Sequence, residues 1–388
     1  MIRIKDVIVK IEGPQTKIDK KLWLNCGDLP VISQESTQNI NNYVNKKDFL
    51  SIKDLPLIVF GDHTCIFKYI DFNFVRGADG TQLIKPNKNY DIKFFYYLLQ
   101  YIRKFIPELK KYQRHFKYLK EMDISRYNFN YKYQKKIALV LSVLDSKIEF
   151  NNKINSELEK MVKNIYNYWF VQFDFPDENG KPYKANKGKM VWSEDLKKDI
   201  PCGWGVKKLT NLLEKNTDKF VLNGSKHDID TIDLSVMPNS TMCLTEKNTS
   251  DEFGTNLFKM NKFDILFGGI RPYLLKAGFA PFNGLVTGTV LSYRVIKNFD
   301  YNFVLLTMVH DSVFKFAVSN SRGTKMPVIA SDDLLSYKFA YNENIVKKFN
   351  EIISFKEIIS KNVQENQKLV ELRDWLLPML MNGQVKVN

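Results

Sequence analysis

A long internal repeat constrains the fold of this chain more than any other feature of its sequence. Three pairs of segments match at offsets of 207 to 210 residues: PLIVFGDH (56–63) with FDILFGGI (263–270), KNYDIKF (88–94) with KNFDYNF (297–303), and DISRYNFNY (123–131) with DLLSYKFAY (333–341). This period is too long for a solenoid and indicates a duplicated domain. A chain of 388 residues is long enough for two such domains.

Each copy is followed by a stripe of residues in 3-4 steps. The first stripe is Leu141, Leu144, Ile148, Asn151, Asn155, Leu158, Val162, Ile165 and Trp169. Adding 211 to each number gives the second stripe, Ile352, Phe355, Ile359, Asn362, Asn366, Leu369, Arg373, Leu376 and Leu380. This spacing, kept over about four heptads, predicts the seam of a coiled coil.

Asparagine stands at the two central seam positions in both copies. If the second helix returns along the first, an internal pseudo-twofold axis crosses the antiparallel pair and paired residue numbers sum to 517. The predicted amide pairs are then Asn151 with Asn366 and Asn155 with Asn362, expected to form one hydrogen-bonded quartet. A slip by one heptad would cost about 1–3 kcal/mol for each buried amide left unsatisfied. The alternative is that the asparagines merely face solvent.

The same register predicts which other side chains meet. The apolar pairs are Leu141 with Leu376, Ile148 with Leu369, Leu158 with Ile359, Val162 with Phe355, and Ile165 with Ile352. Two pairs fit poorly, Leu144 with Arg373 and Trp169 with Lys348, and both lie toward the helix ends, where long side chains can reach water.

The predicted fold class is α+β, with two similar globular domains separated by a long antiparallel two-helix coiled coil and internal pseudo-twofold symmetry. The predicted boundaries are a first domain at 1–133, a first spacer helix at 134–172, a linker at 173–204, a second domain at 205–343, and a second spacer helix with a tail at 344–388. The linker is rich in Gly, Pro, Lys and Asp, a composition typical of an ordered-to-flexible connection.

Charge points to a polyanionic partner. The formal net charge is +15 and the isoelectric point is about 9.3. Lysine and arginine cluster in residues 103–136, where aromatic side chains interleave with them, a combination that suits nucleic-acid contact. The alternative is that the basic residues only solvate the surface.

Several classes of function lack their signatures in this sequence. There is no phosphate-binding loop, no GxGxxG after a strand, no methyltransferase-type Asn-Pro-Pro-Tyr stretch and no nuclease-like carboxylate cluster. The four cysteines are far apart and form no CxxC, which predicts free thiols in a cytoplasmic chain without a metal site. The sequence predicts neither a transmembrane helix nor a signal peptide.

The duplicated order resembles the specificity subunit of type I restriction–modification enzymes over the whole chain. Its best local marks are IPCGWGVKKLTNLLEK (200–215), SNSRGTKMPVIASDDLLSYKF (319–339) and VQENQKLVELRDWLLPMLMNGQV (363–385). The first resembles the start of a target recognition domain, and the last resembles the family's closing helix. The first half departs from the pattern, because it lacks the Pro-x-Gly-Trp start and has YQRHFKYLKEM (112–122) where the second has SNSRGTKMPVI.

The resemblance implies a subunit without catalysis of its own. Each target recognition domain would read one half of a split, asymmetric sequence in double-stranded DNA, and the helices would set the unread gap. Methyltransferase subunits would pack on the helices and carry S-adenosylmethionine; restriction and translocase subunits, if present, would bring ATP and Mg. Two rival interpretations are a stand-alone nucleic-acid-binding or coiled-coil scaffold protein and an enzyme whose site the sequence does not reveal.

Basic and small polar residues are the candidates for DNA contact, since Lys and Arg bind phosphates and a few side chains read base edges. In the second half they are Arg271, Ser321, Arg322, Gly323, Thr324 and Lys325, with Gly323 allowing close approach of the backbone to a phosphate. In the first half they are Arg76, Lys85, Arg103, Lys110, Lys111, Arg114 and Lys117. For each of them, solvated surface charge is the alternative.

Overall fold

The chain divides into two compact units. Unit 1 comprises residues 1–148 and 368–388, and unit 2 comprises residues 149–367. The computed structural model describes residues 1–12, 17–34, 42–77, 80–106, 115–221, 228–239, 241–250, 253 and 256–387. Each unit contains one α+β domain and part of a pair of long helices.

The described elements are as follows. The strands are β1 (Lys17–Ile18), β2 (Leu29–Ile32), β3 (Tyr43–Val44), β4 (Leu57–Gly61), β5 (Phe67–Ile70), β6 (Val75–Gly77), β7 (Thr81–Ile84), β8 (Met190–Ser193), β9 (Lys198–Pro201), β10 (Gly205–Lys208), β11 (Leu213–Lys215), β12 (Lys219–Phe220), β13 (Asp230–Ile232), β14 (Asn248–Thr249), β15 (Leu257–Met260), β16 (Ile265–Gly268), β17 (Ala277–Phe279), β18 (Gly284–Thr287), β19 (Val290–Val295) and β20 (Lys338–Tyr341). The α-helices are α1 (Ile4–Val7), α2 (Ile92–Ile102), α3 (Phe116–Glu121), α4 (Tyr131–Tyr166), α5 (Tyr301–Met308), α6 (Asp311–Ser319), α7 (Ser331–Leu335), α8 (Glu343–Ile352) and α9 (Lys356–Met381).

Unit 1 has two small sheets and one main core. The sheets have strand orders β1-β6-β2-β3 and β5-β4-β7. Helix α2 begins at the Asp91 cap, whose carboxylate accepts the Phe94 N–H at 2.9 Å, and it packs its apolar face into the core. The first turns of α4 and the last turns of α9 add Leu141 and Leu380 to that core, so the helices are part of the folded domain.

Unit 2 repeats this plan with additions. Its main sheet has the order β11-β19-β16-β17, and a five-stranded sheet has the order β12-β15-β18-β13-β14. The central strands β4 and β16 each have two antiparallel neighbours, and the pairs β2 with β6 and β13 with β18 are both parallel. The duplication predicted from sequence is therefore present at the level of strand order.

The first helix follows its predicted seam. Eight predicted seam positions lie on α4 and the ninth, Trp169, lies in the π-helical turn that follows it. All nine are buried or half-buried, whereas Leu139, Phe150 and Met161 are exposed. Helix α4 begins three residues before the predicted start and ends in a π-helical turn at Asn167–Val171.

The second helix is interrupted, which corrects the continuous seam predicted for it. Helix α8 ends at Ile352 and α9 begins at Lys356. The break changes the helical phase, so Ile352 is 65% exposed while Ile353 and Phe355 are buried. The predicted contact of Ile165 with Ile352 is thus wrong. Asn302 Nδ2 donates to the Ile353 carbonyl at 2.6 Å and satisfies a backbone acceptor that the break leaves free.

The two poorly fitting seam pairs have structural explanations. Arg373 is half-buried and its Nη1 donates to Asp145 Oδ1 at 2.9 Å, while the Tyr97 hydroxyl donates to Asp145 Oδ2 at 2.6 Å. Trp169 does not reach water: it is 7% exposed and its ring lies 5.6 Å from that of Phe349 in α8.

The segment predicted as an ordered-to-flexible linker is ordered. Strands β8 and β9 form an antiparallel hairpin, and the buried rings of Phe173 and Phe175 lie 5.4 and 5.2 Å from Trp204. Strand β10 then pairs with β20, which joins the two ends of the 205–343 segment.

Candidate nucleic-acid interface

The second-half candidates lie together at one edge of unit 2. Arg271 follows β16, and its backbone N–H donates to the Pro327 carbonyl at 2.7 Å; Ile329 donates to the Gly269 carbonyl at 2.9 Å. Arg322 and Val328 exchange two backbone hydrogen bonds of 2.9 Å. These contacts close residues 321–328 into a loop beside Arg271, and we call residues 269–275 and 321–328 the Arg271 loop pair.

The side chains of this loop pair suit contact with a polyanion. Arg322, Thr324 and Lys325 are exposed, and Ser321 is half-buried. Arg322 forms an ion pair with Asp333 at 3.6 Å that leaves its side chain 85% exposed, so the pair holds the guanidinium weakly. Gly323 has φ +97°, a left-handed conformation that favours glycine.

Arg271 itself has an unusual setting. Its φ is 51°, and its Nε is buried without a hydrogen-bond partner. Left-handed backbone at a non-glycine residue is uncommon outside turns and functional sites. Arg271 thus combines a left-handed backbone with a buried Nε, and both belong to a turn whose backbone is hydrogen-bonded to the 321–328 loop.

A cleft next to the loop pair was not predicted from the sequence. It has a volume of about 970 Å³ and is lined by Lys215, Thr217, Lys219, Thr287 and Thr289 together with Phe258. Lys215 and Lys219 are exposed. The Gly269 N–H donates to the Thr289 carbonyl at 3.2 Å, so the cleft and the Arg271 loop pair adjoin. The sequence signal is KNTDK (215–219), a polar turn with a lysine at each end.

Two first-half residues predicted to contact DNA, Arg76 and Lys85, instead make contacts within the fold. Arg76 on β6 is 9% exposed, its Nη2 donates to the Thr81 carbonyl, and burial lowers the pKa of its guanidinium. Lys85 is half-buried in an ion pair with Asp54, and its hydrogen bond holds the pKa of that carboxyl below its ordinary value. Neither side chain is available to a phosphate in this structure.

The other first-half candidates divide into two groups. Arg103, just after α2, and Lys117 on α3 are exposed, and nothing in their surroundings sets them apart from ordinary surface charge. Lys110, Lys111 and Arg114 lie outside the described residues.

A polar cluster in unit 1 occupies the place of the Arg271 loop pair. Asp62 stands where the repeat has Gly269, directly after the central strand. It is 1% exposed, its Oδ1 accepts the Phe116 N–H at 2.8 Å, and its Oδ2 accepts from Gln82 Nε2 at 3.5 Å. The Asp62 carbonyl accepts the His115 N–H at 3.3 Å.

Three side chains around Asp62 carry hydrogen-bonding groups at the surface. His63 is exposed, and Gln34 and Gln82 are half-buried. Gln34 Oε1 accepts the His63 N–H at 3.4 Å, and the Gln34 carbonyl accepts from Thr64 Oγ1 at 2.8 Å. We call Gln34, Asp62, His63, Gln82 and His115 the Asp62 cluster. A search of the sequence for basic residues misses the Asp62 cluster, because the cluster contains no lysine or arginine.

The seam asparagines pair across the two helices of unit 2. Asn151 Nδ2 donates to Asn366 Oδ1 at 2.9 Å, and Asn362 Nδ2 donates to Asn155 Oδ1 at 2.8 Å. The later residue on α4, Asn155, pairs with the earlier residue on α9, Asn362, so the helices are antiparallel there. Asn151 is 2% exposed and the other three are half-buried.

The amides form two pairs, where a single quartet was expected. Further partners complete each pair: Asn151 Nδ2 also donates to Glu365 Oε2 at 2.8 Å, and Asn366 Nδ2 donates to Asn152 Oδ1 at 2.8 Å. Glu365 and Asn152, on the helix flanks, thus take hydrogen bonds that the expected quartet would have formed among its own four amides.

Other site types are not found in the part of the chain that the structure describes. It contains no cluster of three or more side chains fit to hold a metal ion and no helix long and apolar enough to cross a membrane. The four cysteines are free, as predicted.

Comparisons with known proteins agree with one another. A sequence model described as the type I restriction modification DNA specificity domain matches residues 1–160. The chain is 25% identical to the type I restriction enzyme MjaIX specificity subunit of Methanocaldococcus jannaschii, over 99% of this chain and 93% of that protein. It is 22% identical to the HindI specificity subunit of Haemophilus influenzae, over 65% and 67% of the two chains.

The fold has a solved counterpart. The crystal structure of a type I restriction–modification S subunit from M. genitalium matches with a TM-score of 0.56 and 16% sequence identity, over 98% of this chain and 95% of that one. The chain contains duplicated α+β domains, long paired helices and a basic loop. In sequence and in fold it is similar to the specificity subunits of type I restriction–modification enzymes.

Proposed function

We propose that this chain directs a type I restriction–modification assembly to DNA by reading a split, asymmetric target, one half-site for each domain. The observation that carries the proposal is the recurrence of one strand order around β4 and β16, each in a domain that contains part of the same helix pair. Methylation and cleavage belong to partner subunits, and this chain supplies recognition alone.

In the second domain, phosphate binding and base reading fall to different side chains. Lys215, Lys219 and Lys325 suit phosphates, because their ammonium groups are exposed on flexible stems. Arg271 suits a base edge, because it is half-buried beside the exposed 321–328 loop and arginine commonly reads guanine in the major groove. The DNA affinity that the lysines supply should fall as the salt concentration rises, whereas the preference of Arg271 for one base over another should not change.

In the first domain, the Asp62 cluster takes the corresponding place. Glutamine amides and imidazole groups read bases through paired donors and acceptors, and glutamine suits adenine. Because the two domains present such different groups at equivalent positions, the two half-sites should differ in sequence. Half-sites about one helical turn apart, roughly 34 Å, would present the same face of the duplex.

The helix pair sets the gap between half-sites in this proposal. The two amide pairs hold one register, since a shift would leave the buried Asn151 without acceptors. Asparagine in a helical seam is known to fix register at some cost in stability.

Exposed apolar side chains on the helices suit partner subunits. In unit 2, α4 leaves Phe150, Ile154 and Met161 exposed; in unit 1, Leu139 on α4 and Trp375 on α9 are exposed. Apolar side chains concentrated on helix flanks typically mark protein interfaces. We assign these surfaces to methyltransferase subunits, which would carry S-adenosylmethionine; restriction subunits would bring ATP and Mg. Because its target would be the DNA of the cell, we propose that the assembly acts in the cytoplasm.

A change of helix length tests the proposal. One heptad inserted into α4 after Asn155 and one into α9 before Asn362 would preserve the amide pairs and lengthen the spacer by about 10.5 Å. At about 3.4 Å per base pair, the accepted gap should grow by about three base pairs. The readout is the set of methylated adenines in cells that contain the chain and its methyltransferase subunits.

Two results would contradict the proposal. An unchanged gap after both insertions would refute the role of the helices. Failure of the chain to associate with methyltransferase subunits, together with methylation that does not depend on it, would favour the stand-alone binding or scaffold interpretation. A heptad inserted after Asn155 into α4 alone is the matched control. It keeps the amide pairs but shifts the pairs beyond them, such as Leu158 with Ile359, out of register, and should abolish methylation at both gaps.

A further inference from the structure

Both long helices bind one edge of the second domain through polar side chains. From α4, the Glu159 carboxylate accepts the Met242 N–H at 2.9 Å, although Glu159 is only 6% exposed. From α9, Gln364 Nε2 and Ser360 Oγ both donate to the Pro281 carbonyl, at 2.6 and 3.1 Å. All of these residues belong to unit 2.

The two bound segments lie side by side. The Phe279 N–H donates to the Met242 carbonyl at 2.8 Å, and the Leu244 N–H donates to the Phe279 carbonyl at 3.2 Å. The helices therefore hold a single two-segment edge, one helix on each segment. We call Glu159, Ser360 and Gln364 the domain latch.

This edge is connected by backbone hydrogen bonds to the Arg271 loop pair. Strand β17 ends at Phe279 and pairs with β16, where Phe267 lies opposite Ala277. The Gly268 N–H donates to the Lys276 carbonyl at 2.8 Å, and Gly269 and Arg271 follow directly. A rotation of the latched edge would thus turn Arg271 with it, because the intervening segments form one sheet.

The chemistry of the latch favours a fixed geometry. A buried carboxylate is costly unless hydrogen bonds compensate it. Burial raises the pKa of Glu159, and the backbone N–H groups of Met242 and Cys243 offset part of that cost. Ser360 and Gln364 are four residues apart on one helix face, so both can reach one carbonyl oxygen. That oxygen has two lone pairs, and the two donors use both.

The repeat does not contain this latch twice. At the positions related by 211, Glu159 corresponds to Val370, Ser360 to Glu149 and Gln364 to Lys153. Unit 1 instead uses Tyr97, Asp145 and Arg373 between its domain and its helix segments. Because each domain is bound to its helix segments by a different set of polar side chains, the orientation of each domain can change independently during divergence.

We propose that Glu159, Ser360 and Gln364 are positioning residues that fix the angle of the Arg271 loop pair on the helix pair. They would thereby limit the range of gap lengths between half-sites that the chain accepts. This inference rests on the proposed function. Loss of the latch should leave the half-site sequences unchanged and let the domain turn, which would admit gaps one base pair shorter or longer.

The test uses the full chain with its methyltransferase subunits and DNA substrates that differ only in gap length. For Gln364→Ala and Glu159→Ala, methylation at the neighbouring gaps relative to the preferred gap should rise at least about fivefold, as expected when hydrogen bonds to buried groups are lost. Glu159→Gln keeps an acceptor for the Met242 N–H and should lie between wild type and Glu159→Ala. Glu157→Gln, at an exposed residue on the same helix, is the matched control.

The outcomes separate the latch from the proposed function. A wild-type gap profile in a folded Gln364→Ala chain overturns the latch, while the split-target proposal stands. Absence of methylation by the wild-type chain with its partners on any split substrate overturns both. If Glu159→Ala does not fold, Ser360→Ala and Gln364→Ala still decide the question, because a purely structural role would lower activity at every gap equally.

Discussion

Substitution of Asn151 by alanine tests the energetic basis of the helix register. Asn151 is 2% exposed, and its Nδ2 donates to Glu365 Oε2 at 2.8 Å and to Asn366 Oδ1 at 2.9 Å. A hydrogen bond to a charged group contributes about 1.5–3 kcal/mol, and one between neutral groups about 0.5–1.5 kcal/mol. Glu365 and Asn366 are half-buried and can regain water, so the expected cost is about 2 kcal/mol, near the lower end of the sum.

The second amide pair provides the internal comparison. Asn155 is half-buried and its Oδ1 accepts from Asn362 Nδ2 at 2.8 Å. Asn155→Ala should cost about 0.5–1 kcal/mol, because a neutral partner near solvent is easily rehydrated. Asn151→Leu combined with Asn366→Leu should be nearly neutral for stability, since both amides of that pair are replaced by apolar groups, but it should weaken the choice of register.

The assay should report on the helices alone, because a chain of two units need not unfold in one step. Amide hydrogen exchange over 149–157 and 360–368 measures local opening of the pair. We expect protection there to fall in the order wild type, Asn155→Ala, Asn151→Ala. Equal protection in the two alanine variants, or a larger loss for Asn155→Ala, would refute the assignment of Asn151 as the main register residue.

Two other predictions separate structural cations from DNA-binding ones. Lys85→Ala should destabilise unit 1 by about 1 kcal/mol at neutral pH: the hydrogen bond from Lys85 lowers the pKa of Asp54 below 3.8, so this stability is present above that pH and disappears as pH falls through the lowered value. Thermal unfolding at pH 7 and pH 3 checks it, and a DNA affinity that changes with Lys85→Ala would contradict the structural assignment. Arg322→Ala and Lys325→Ala should each reduce the slope of log affinity against log salt by about 1 while leaving stability unchanged; a slope identical to that of wild type in both variants would remove the loop from the interface.

The sequence could predict the two helices and the asparagine pairs between them, because both depend on local periodicity. The 3-4 spacing identifies the buried face of α4, and the duplicated asparagines identify the register. It could not predict the break after Ile352. The residues from Ile352 to Phe355 include three large apolar side chains, so either phase of the helix would look amphipathic. The contact of Asn302 with Ile353, 51 residues apart, holds the break.

Charge alone was a poor guide to the Asp62 cluster, which we propose for the first half-site, for a related reason. Arg76 and Lys85 are basic in the sequence, yet the Thr81 carbonyl and the Asp54 carboxylate engage them in the fold. The neutral Gln34 and Gln82 come together only because β4 and β7 pair and the chain after β2 lies alongside. Such a cluster depends on tertiary contacts between segments 20 to 50 residues apart, which periodicity and composition do not report.

The residues Asp62 and Gly269, which stand at equivalent positions, make different contacts in the two copies of the domain. In the second domain, the Gly269 carbonyl accepts the Ile329 N–H at 2.9 Å and holds the 321–328 loop beside Arg271. In the first, the Asp62 carboxylate binds the Phe116 N–H instead and anchors α3 at that place. The strand end is therefore covered by a basic loop in the second domain and by a helix flanked by amide and imidazole groups in the first. Asp62→Gly removes the carboxylate that binds the Phe116 N–H, so it should release the start of α3, seen as faster amide exchange at Phe116, and under the proposed function it should alter the first half-site only.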